Sequence, residues 1–159
     1  MQSLTIRAAK TSDIPLVREL ILALAEYEKL AHVFELTETQ LREALFGERP
    51  SAECLIALVE NEPAGFALFF TNFSTFLGRP GLYLEDLFVK PHLRGKGIGK
   101  ALLRSLAGIA VSRNYGRMEW AVLDWNTPSI EFYKSLGACA LQEWTVFRMD
   151  EDAIQEMAA

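Results

Sequence analysis

The sequence predicts a single α/β domain over residues 1–159, built on a mixed sheet. Segments with strand-type residues and segments with helical spacing both occur, but they do not alternate strictly, which argues against a wholly parallel sheet. The chain has 159 residues, of which 50% are hydrophobic. This length is enough for one hydrophobic core and too short for two ordinary domains.

The chain begins with a predicted strand, Leu4–Ala8, followed by an amphipathic helix. Thr11, Ser12 or Asp13 can cap this helix, and Pro15 lies in its first turn, where proline is favoured. Five apolar residues at helical spacing form its buried face: Ile14, Val17, Leu20, Ile21 and Leu24.

A second helix is predicted to start at Thr37 and to end at Gly47. Gln40 completes a Thr-x-x-Gln capping box at its start. Three strands follow, each rich in apolar, β-branched or aromatic residues: 54–60, 64–70 and 82–89. A hairpin turn at 61–63 joins the first two, and the third is expected at the centre of the sheet.

A glycine-rich run follows the third of these strands. Gly95, Gly97 and Gly99 lack the Cβ atoms that would keep the backbone away from an anion. The next residues have helical spacing, so the run lies at a helix N-terminus, where unpaired N–H groups favour negative charge. Three positive side chains accompany it: Arg94, Lys96 and Lys100. The order of strand, glycine loop and helix is typical of a diphosphate site.

Two common phosphate motifs do not fit this run. A Walker loop needs glycine in place of Arg94 and Ser or Thr in place of Ala101, and a dinucleotide fingerprint needs glycine in place of Leu102. A glycine-rich helix start without a ligand is the alternative interpretation of the run.

The C-terminal part continues with a predicted strand at 117–123 and a helix capped by Thr127, with Pro128 at its first position. One or two further strands are predicted within 141–149. Asp150 can cap a short terminal helix.

The glycine-rich run resembles the diphosphate signature Arg/Gln-x-x-Gly-x-Gly/Ala of the GNAT superfamily of N-acetyltransferases, through Arg94, Gly97 and Gly99. Within that superfamily the chain is similar to the diamine (spermidine/spermine) and thialysine acetyltransferases. Three segments carry this likeness: 82–89, 125–134 and 137–138. The resemblance implies a mixed, mostly antiparallel sheet of six to seven strands flanked by about four helices. It also implies transfer of an acetyl group from acetyl-CoA to a primary amine of a small polyamine or a lysine-like acceptor.

The resemblance assigns a cofactor site to two parts of the chain. The residues implied are Leu87, Phe88, Val89, Arg94, Gly95, Lys96, Gly97, Ile98, Gly99, Lys100, Asn126, Ser129 and Tyr133. Backbone groups of Phe88 and Val89 are expected to bind the pantetheine arm. Asn126 either reaches that arm or fixes the turn before the helix, and both interpretations stay open.

Glu85 and Asp86 lie within the apolar strand at 82–89, where side-chain alternation predicts that they point to opposite faces. A carboxylate in such a strand is costly unless it is paired or functional. A primary ammonium titrates near about 10.4 and attacks only when neutral, so acetyl transfer needs a base. Glu85 is expected to be that base, and Asp86 either shares the role or binds a second ammonium.

The resemblance makes Tyr133 the general acid that protonates the leaving thiolate, whereas an aromatic at helical spacing is otherwise a core residue. It assigns acceptor binding to five residues: Tyr27, Glu28, Glu85, Asp86 and Glu143. A solvated helix face, shared with Glu26 and Glu35, is the alternative interpretation of Glu28. A covalent acyl-cysteine at Cys139 is the alternative mechanism, but no neighbour suggests thiolate activation, so direct attack in a ternary complex is favoured.

Composition and charge argue against several classes of function. The net charge is −5 and no Lys/Arg stripe is present, which argues against nucleic-acid binding and is compatible with a cationic substrate. Nothing predicts a membrane span, a signal peptide or a metal site, so we expect a cytoplasmic protein. Cys54 and Cys139 are expected to be buried free thiols, and the family implies a homodimer. Acetylation of another amine, such as an aminoglycoside or a protein N-terminus, and a non-catalytic acyl-CoA-binding module remain alternatives.

Overall fold

The structure is a computed structural model that describes residues 3–159. The chain divides into two compact units, Met1–Ala121 and Val122–Ala159. The first unit contains the sheet and three α-helices, and the second contains two further helices. The assignment of residues 1–159 to a single domain stays a prediction.

The sheet of the first unit has five strands that lie in chain order. They are β1 (Leu4–Ala8), β2 (Glu53–Val59), β3 (Glu62–Ser74), β4 (Arg79–Val89) and β5 (Met118–Glu119). The first four pair antiparallel, and β5 pairs parallel to β4. The mixed, mostly antiparallel sheet is confirmed, but the predicted number of six to seven strands is too high for the described residues.

Residues 3–159 contain five α-helices, as the chain's local signals predicted and close to the number of about four that the resemblance implied. They are α1 (Ile14–Tyr27), α2 (Glu38–Phe46), α3 (Ile98–Ser112), α4 (Thr127–Ser135) and α5 (Glu151–Ala158). The capping box of α2 is confirmed, because Gln40 N–H donates to Thr37 Oγ1 at 3.2 Å and Thr37 N–H donates to Gln40 Oε1 at 2.9 Å. Asp150 caps α5 as expected, since its Oδ1 accepts from Ala153 N–H at 2.9 Å.

The main hydrophobic cluster lies between the sheet and the pair formed by α1 and α2. The predicted stripe of α1 supplies its buried residues Ile14, Val17, Leu20 and Leu24, while Ile21 is only half-buried. The strands supply Cys54, Ile56, Phe66 and Phe88. Helix α3 packs on the same sheet through fully buried Leu102 and Leu106. These contacts hold the ends of α1, β4 and α3 in one unit.

The turn between β2 and β3 lies one residue earlier than predicted. Glu60 and Asn61 form it, with φ angles of 51° and 67°, and Glu62 already pairs with Val59. Two consecutive residues with positive φ are what a tight hairpin turn of this hand requires, and asparagine tolerates that conformation well. Pro63 therefore belongs to the strand and not to the turn.

One strand prediction near the C-terminus is too long and the other is wrong. The segment predicted at 117–123 forms a strand only at Met118–Glu119, and the segment at 141–149 contains no strand. Strand-type residues become a strand only where the backbone pairs with a neighbour, and the residue pattern does not specify that partner.

Two local predictions also need correction. The cap of α4 is Asn126, whose Oδ1 accepts from Ser129 N–H, and not Thr127, which is the first helical residue. Cys54 is buried as expected, and burial raises the pKa of its thiol to about 12, but Cys139 is exposed. The expectation of two buried thiols therefore holds for Cys54 alone.

Candidate active site

Strand β4 contains an irregularity at Glu85. Asp86 pairs with Leu68 and Leu84 pairs with Phe69, so Glu85 is an extra residue without a partner across the ladder. Such a bulge interrupts the alternation of side chains. The prediction that Glu85 and Asp86 point to opposite faces assumed a regular strand, so it loses that basis and stays a prediction.

The bulge places Asp86 in the more enclosed position. Asp86 is half-buried, whereas Glu85 is exposed. Burial, followed by the charges of Glu85 and Glu28, raises the pKa of Asp86 to about 7. Glu85 was expected to be the base, whereas the carboxyl group whose pKa is raised toward neutrality is Asp86.

Glu28 completes a cluster of three carboxyl groups with Glu85 and Asp86. It follows α1 directly, and burial together with the charge of Glu85 raises its pKa. None of the ion pairs found within residues 3–159 includes a member of this acidic cluster. Glu28, Glu85 and Asp86 thus form a site whose charge is suited to a cation, and Glu28 is part of it rather than of a solvated helix face.

Arg94 lies beside this cluster and contacts two rings. Its Cζ atom is 4.5 Å from the centroid of the Tyr27 ring and 5.4 Å from that of Phe88. Its Nε donates to the carbonyl oxygen of Val89 at 2.9 Å. The predicted diphosphate-binding arginine and the predicted acceptor-binding tyrosine are therefore in contact. The sequence contains no signal for this contact.

The glycine loop is open on the side where the missing side chains would project. Gly95 and Gly97 have φ angles of +76° and +81°, and a Cβ atom on either would meet no atom within 4 Å. Gly97 is the N-cap of α3, and buried Ile98 anchors the first turn of the helix. The N–H groups of that first turn have no acceptor within the helix. The loop therefore offers space and donors to an anion, with exposed Arg94, Lys96 and Lys100 around it.

The edge of β4 opens beyond Tyr83. Strand β5 pairs with β4 only at Leu82 and Tyr83, so it provides no partner for the rest of β4. Phe88 is buried and Val89 is half-buried on this part of the strand. Backbone groups along residues 84–89 can therefore bind an extended ligand, as predicted for the pantetheine arm.

The remaining predicted residues belong to the second unit. Asn126 is buried and makes the cap described above, which agrees with the turn-fixing interpretation of its side chain, and its contact with the pantetheine arm stays a prediction. Tyr133 is half-buried in the last turn of α4, not near its middle, and its ring centroid is 5.6 Å from that of Phe132. Ser129 is half-buried in the first turn, and Glu143 is exposed in an irregular segment.

Two further features, the apolar character of the helices and the positions of the two histidines, contribute nothing to the candidate site. None of the helices in residues 3–159 combines the length and the apolar character that a membrane crossing requires. His32 and His92 are both exposed in short 3₁₀ turns, Ala31–Val33 and Pro91–Leu93, as expected for surface residues.

Comparisons with known proteins identify the family that the chain is similar to. The sequence profile described as the acetyltransferase (GNAT) family matches residues 18–138. The thialysine N-epsilon-acetyltransferase of Bos taurus is 38% identical, with 99% of each chain covered. The L-ornithine N5-acetyltransferase of Arabidopsis thaliana is 33% identical over 94% of this chain and 86% of that protein. A solved integron cassette protein from V. cholerae aligns with a TM-score of 0.82 and 27% identity, covering 98% of each chain.

Proposed function

This chain belongs to the acetyltransferase (GNAT) family and is an N-acetyltransferase, and from that premise we propose its donor, acceptor and mechanism. It transfers the acetyl group of acetyl-CoA to a primary amine of a small polyamine or of a lysine-like acceptor such as thialysine. The amine attacks directly, in a ternary complex of enzyme, donor and acceptor. We also propose which residues bind each substrate and which residues transfer each proton.

The acidic cluster carries the acceptor proposal. The pKa values of Glu28 and Asp86 are raised by burial and by the charges of neighbouring carboxylates, and none of the ion pairs found within residues 3–159 includes a member of the cluster. A ligand with one or two ammonium groups relieves this repulsion when it binds. The two curated relatives are named for thialysine and L-ornithine. Both compounds carry an amine at the end of a flexible side chain, which supports the lysine-like class.

The glycine loop fits the diphosphate of the donor. Positive φ at Gly95 and Gly97 turns the backbone so that no side chain blocks the first turn of α3. Arg94, Lys96 and Lys100 supply positive charge, and the open edge of β4 at Leu87, Phe88 and Val89 supplies backbone groups for the pantetheine arm. The other residues assigned to the donor site are Ile98, Gly99, Asn126, Ser129 and Tyr133. When bound, acetyl-CoA supplies a thioester that a neutral amine can attack.

Each proton transfer is assigned to a residue of this chain. Asp86 accepts the proton of the acceptor ammonium, because its pKa of about 7 leaves it ionised at neutral to alkaline pH while keeping it basic enough to act. Glu85 and Glu28 hold the cationic acceptor, with Tyr27 beside them and Glu143 as a further acidic contact. Tyr133 donates its phenolic proton to the departing sulfur, so that the thiol leaves neutral, and its phenolate takes up the second proton that the nitrogen loses as the amide forms.

Assembly and location are proposed from the family alone. The family profile spans residue 121, where the first compact unit ends, which supports one acetyltransferase domain over residues 1–159. We expect a homodimer. We propose that the C-terminal segment contributes to its interface, and Val146 and Phe147 are exposed apolar residues in that segment. The cytoplasmic location stays a prediction.

The acceptor proposal is tested by thiol release from acetyl-CoA with putrescine, spermidine, lysine, thialysine, ornithine and an aminoglycoside. We expect turnover with diamines or lysine-like amines. Glu28→Gln should raise the KM of a dicationic acceptor by about tenfold, since it removes one desolvated charge contact. Glu26→Gln is the matched control, because Glu26 is exposed on the same helix. Turnover of the aminoglycoside alone, or equal effects of the two variants, would contradict the proposal.

The donor proposal is tested by adding a methyl group to the glycine loop. Gly97→Ala should raise the KM for acetyl-CoA by about tenfold, because the new Cβ occupies the space proposed for the diphosphate. A non-glycine residue at positive φ also costs about 1 kcal/mol of stability. Gly78→Ala is the control for that cost, since Gly78 has φ +64° and equally open surroundings in the turn between β3 and β4. If both variants change the KM for acetyl-CoA to the same extent, the loop does not bind the donor.

A further inference from the structure

The contact between Arg94 and Tyr27 joins the proposed donor site to the proposed acceptor site. Arg94 belongs to the glycine loop, whereas Tyr27 is the last residue of α1 and is followed directly by Glu28 of the acidic cluster. The guanidinium lies over both the Tyr27 and the Phe88 rings, and its Nε is fixed by the carbonyl of Val89. Arg94 therefore connects the end of α1 to β4.

Backbone hydrogen bonds close the end of α1, from Lys29 N–H to the carbonyl of Glu26 at 3.1 Å and from Leu30 N–H to that of Ala25 at 2.8 Å, and Tyr27 packs against the hydrophobic cluster. Glu28 N–H still donates to the carbonyl of Leu24 at 2.9 Å, but the next residue, Lys29, adopts a left-handed conformation with φ 61°. The helix thus ends at Tyr27, and the chain turns away immediately after Glu28. A contact that fixes the Tyr27 ring also fixes the position of the neighbouring carboxylate.

Arg94 does not neutralise the acidic cluster. The pKa values of Glu28 and Asp86 are both raised, which a guanidinium in an ion pair with them would oppose. Its contacts are instead with rings and with a backbone carbonyl. These contacts leave the carboxylates available to a cationic acceptor. They also allow Arg94 to hold the neighbouring residues of the acceptor site in position.

We propose that Arg94 positions the acceptor-binding end of α1, through its contact with the Tyr27 ring, in addition to its role at the donor diphosphate. This inference rests on the proposed function for its reaction, but not for the identity of the amine. It assigns to one residue of the glycine loop a share of the affinity for the acceptor. Arg94 acts here as a positioning residue, because it works through Tyr27 and Glu28.

Arg94→Gln separates the two roles of this residue. Glutamine removes the positive charge at the diphosphate and cannot form the cation–ring contact, so both substrates should bind more weakly. We expect the KM of the acceptor to rise about 5- to 30-fold, which corresponds to a cation–ring contact of moderate strength. The acceptor KM measured at saturating acetyl-CoA reports the positioning role, and the KM for acetyl-CoA, which should also rise, reports the role at the diphosphate.

A double-mutant cycle shows whether the effect passes through the ring. Tyr27→Leu should raise the KM of the acceptor to a similar extent, and Arg94→Gln combined with Tyr27→Leu should add little to either single change. Tyr27→Phe is the conservative comparison, because it keeps the ring and should therefore raise the acceptor KM less than Tyr27→Leu does.

Two results would overturn the proposal. One is an Arg94→Gln enzyme in which only the KM for acetyl-CoA rises, and the other is a double variant in which the two acceptor effects multiply independently. The KM values are measured with whichever amine the wild type acetylates. Rejection of polyamines and lysine-like amines by the wild type is therefore a separate result, which contradicts the proposed acceptor and leaves the Arg94 comparison intact.

Discussion

Replacing Asp86 with Asn should lower kcat/KM for the amine by about 10²-fold or more, because the residue proposed to accept the ammonium proton is lost. In the wild type, kcat/KM should rise with pH through about 7 and then level off. The reason is that the carboxylate form of Asp86 accepts protons, and this form predominates above its pKa of about 7. The Asp86→Asn enzyme should lack that inflection. Initial rates from about pH 5.5 to 9 at low acceptor concentration measure both effects.

Glu85→Gln distinguishes the two carboxylates of the bulge. If Asp86 is the base, Glu85→Gln should keep an inflection and move it to lower pH, because one of the charges that raise the pKa of Asp86 is removed. If Glu85→Gln abolishes the inflection and Asp86→Asn preserves it, Glu85 is the base and the assignment made here is wrong.

The stability of Asp86→Asn should change in the opposite direction to its activity. The pKa of Asp86 is raised in the folded protein, so between about pH 4 and pH 7 the folded state holds a proton that the unfolded chain has released. The free energy of unfolding attributable to this group therefore falls as pH rises, by at most about 1.4 kcal/mol per pH unit in this window. Asp86→Asn should be more stable than the wild type at pH 8 and gain little at pH 4. Urea unfolding at the two pH values measures this difference.

Tyr133→Phe should reduce kcat by about 10²-fold or more, while the KM of the acceptor changes little. The variant removes only the hydroxyl group, which is proposed to protonate the departing sulfur, and keeps the ring that packs near Phe132. A donor thioester with a more acidic thiol should lose less activity, because its sulfur needs less assistance from an acid. Single-turnover kinetics with acetyl-CoA and with such an analogue measure the chemical step directly.

Tyr115→Phe is the matched control for loss of a phenolic hydroxyl. The hydroxyl of Tyr115 forms a hydrogen bond of 2.7 Å with Thr71 Oγ1, at an exposed position that has no assigned role in the reaction. We expect wild-type kcat for this variant. Wild-type turnover by Tyr133→Phe would refute the general-acid assignment and would leave the leaving thiolate to be protonated by solvent.

Local signals in the sequence predicted the parts of the fold that depend on neighbouring residues. The capping box at Thr37 and the cap at Asp150 were confirmed because each involves residues only three positions apart. The start of α3 after the glycine loop was also predicted, since Gly97 and the apolar spacing that follows it act within one or two helical turns.

Features that depend on distant pairing could not be predicted in the same way. Residues 141–149 have the composition of a strand, but composition does not provide a partner for their backbone. The bulge at Glu85 depends on the register between β3 and β4, although two adjacent polar residues in an apolar strand were a hint of it. The contact between Arg94 and Tyr27 joins residues far apart in the chain, and only the folded structure brings them together.

The short pairing between β5 and β4 also affects how the protein behaves without its substrates. Beyond Tyr83, one edge of β4 has no partner in β5, and edges of this kind are the places through which sheets of separate molecules join. A bound donor that lies along this edge would cover it. Preparations stripped of coenzyme A should therefore be the ones that self-associate during concentration and storage, and adding the coenzyme should protect the enzyme from aggregation as well as supply its reaction.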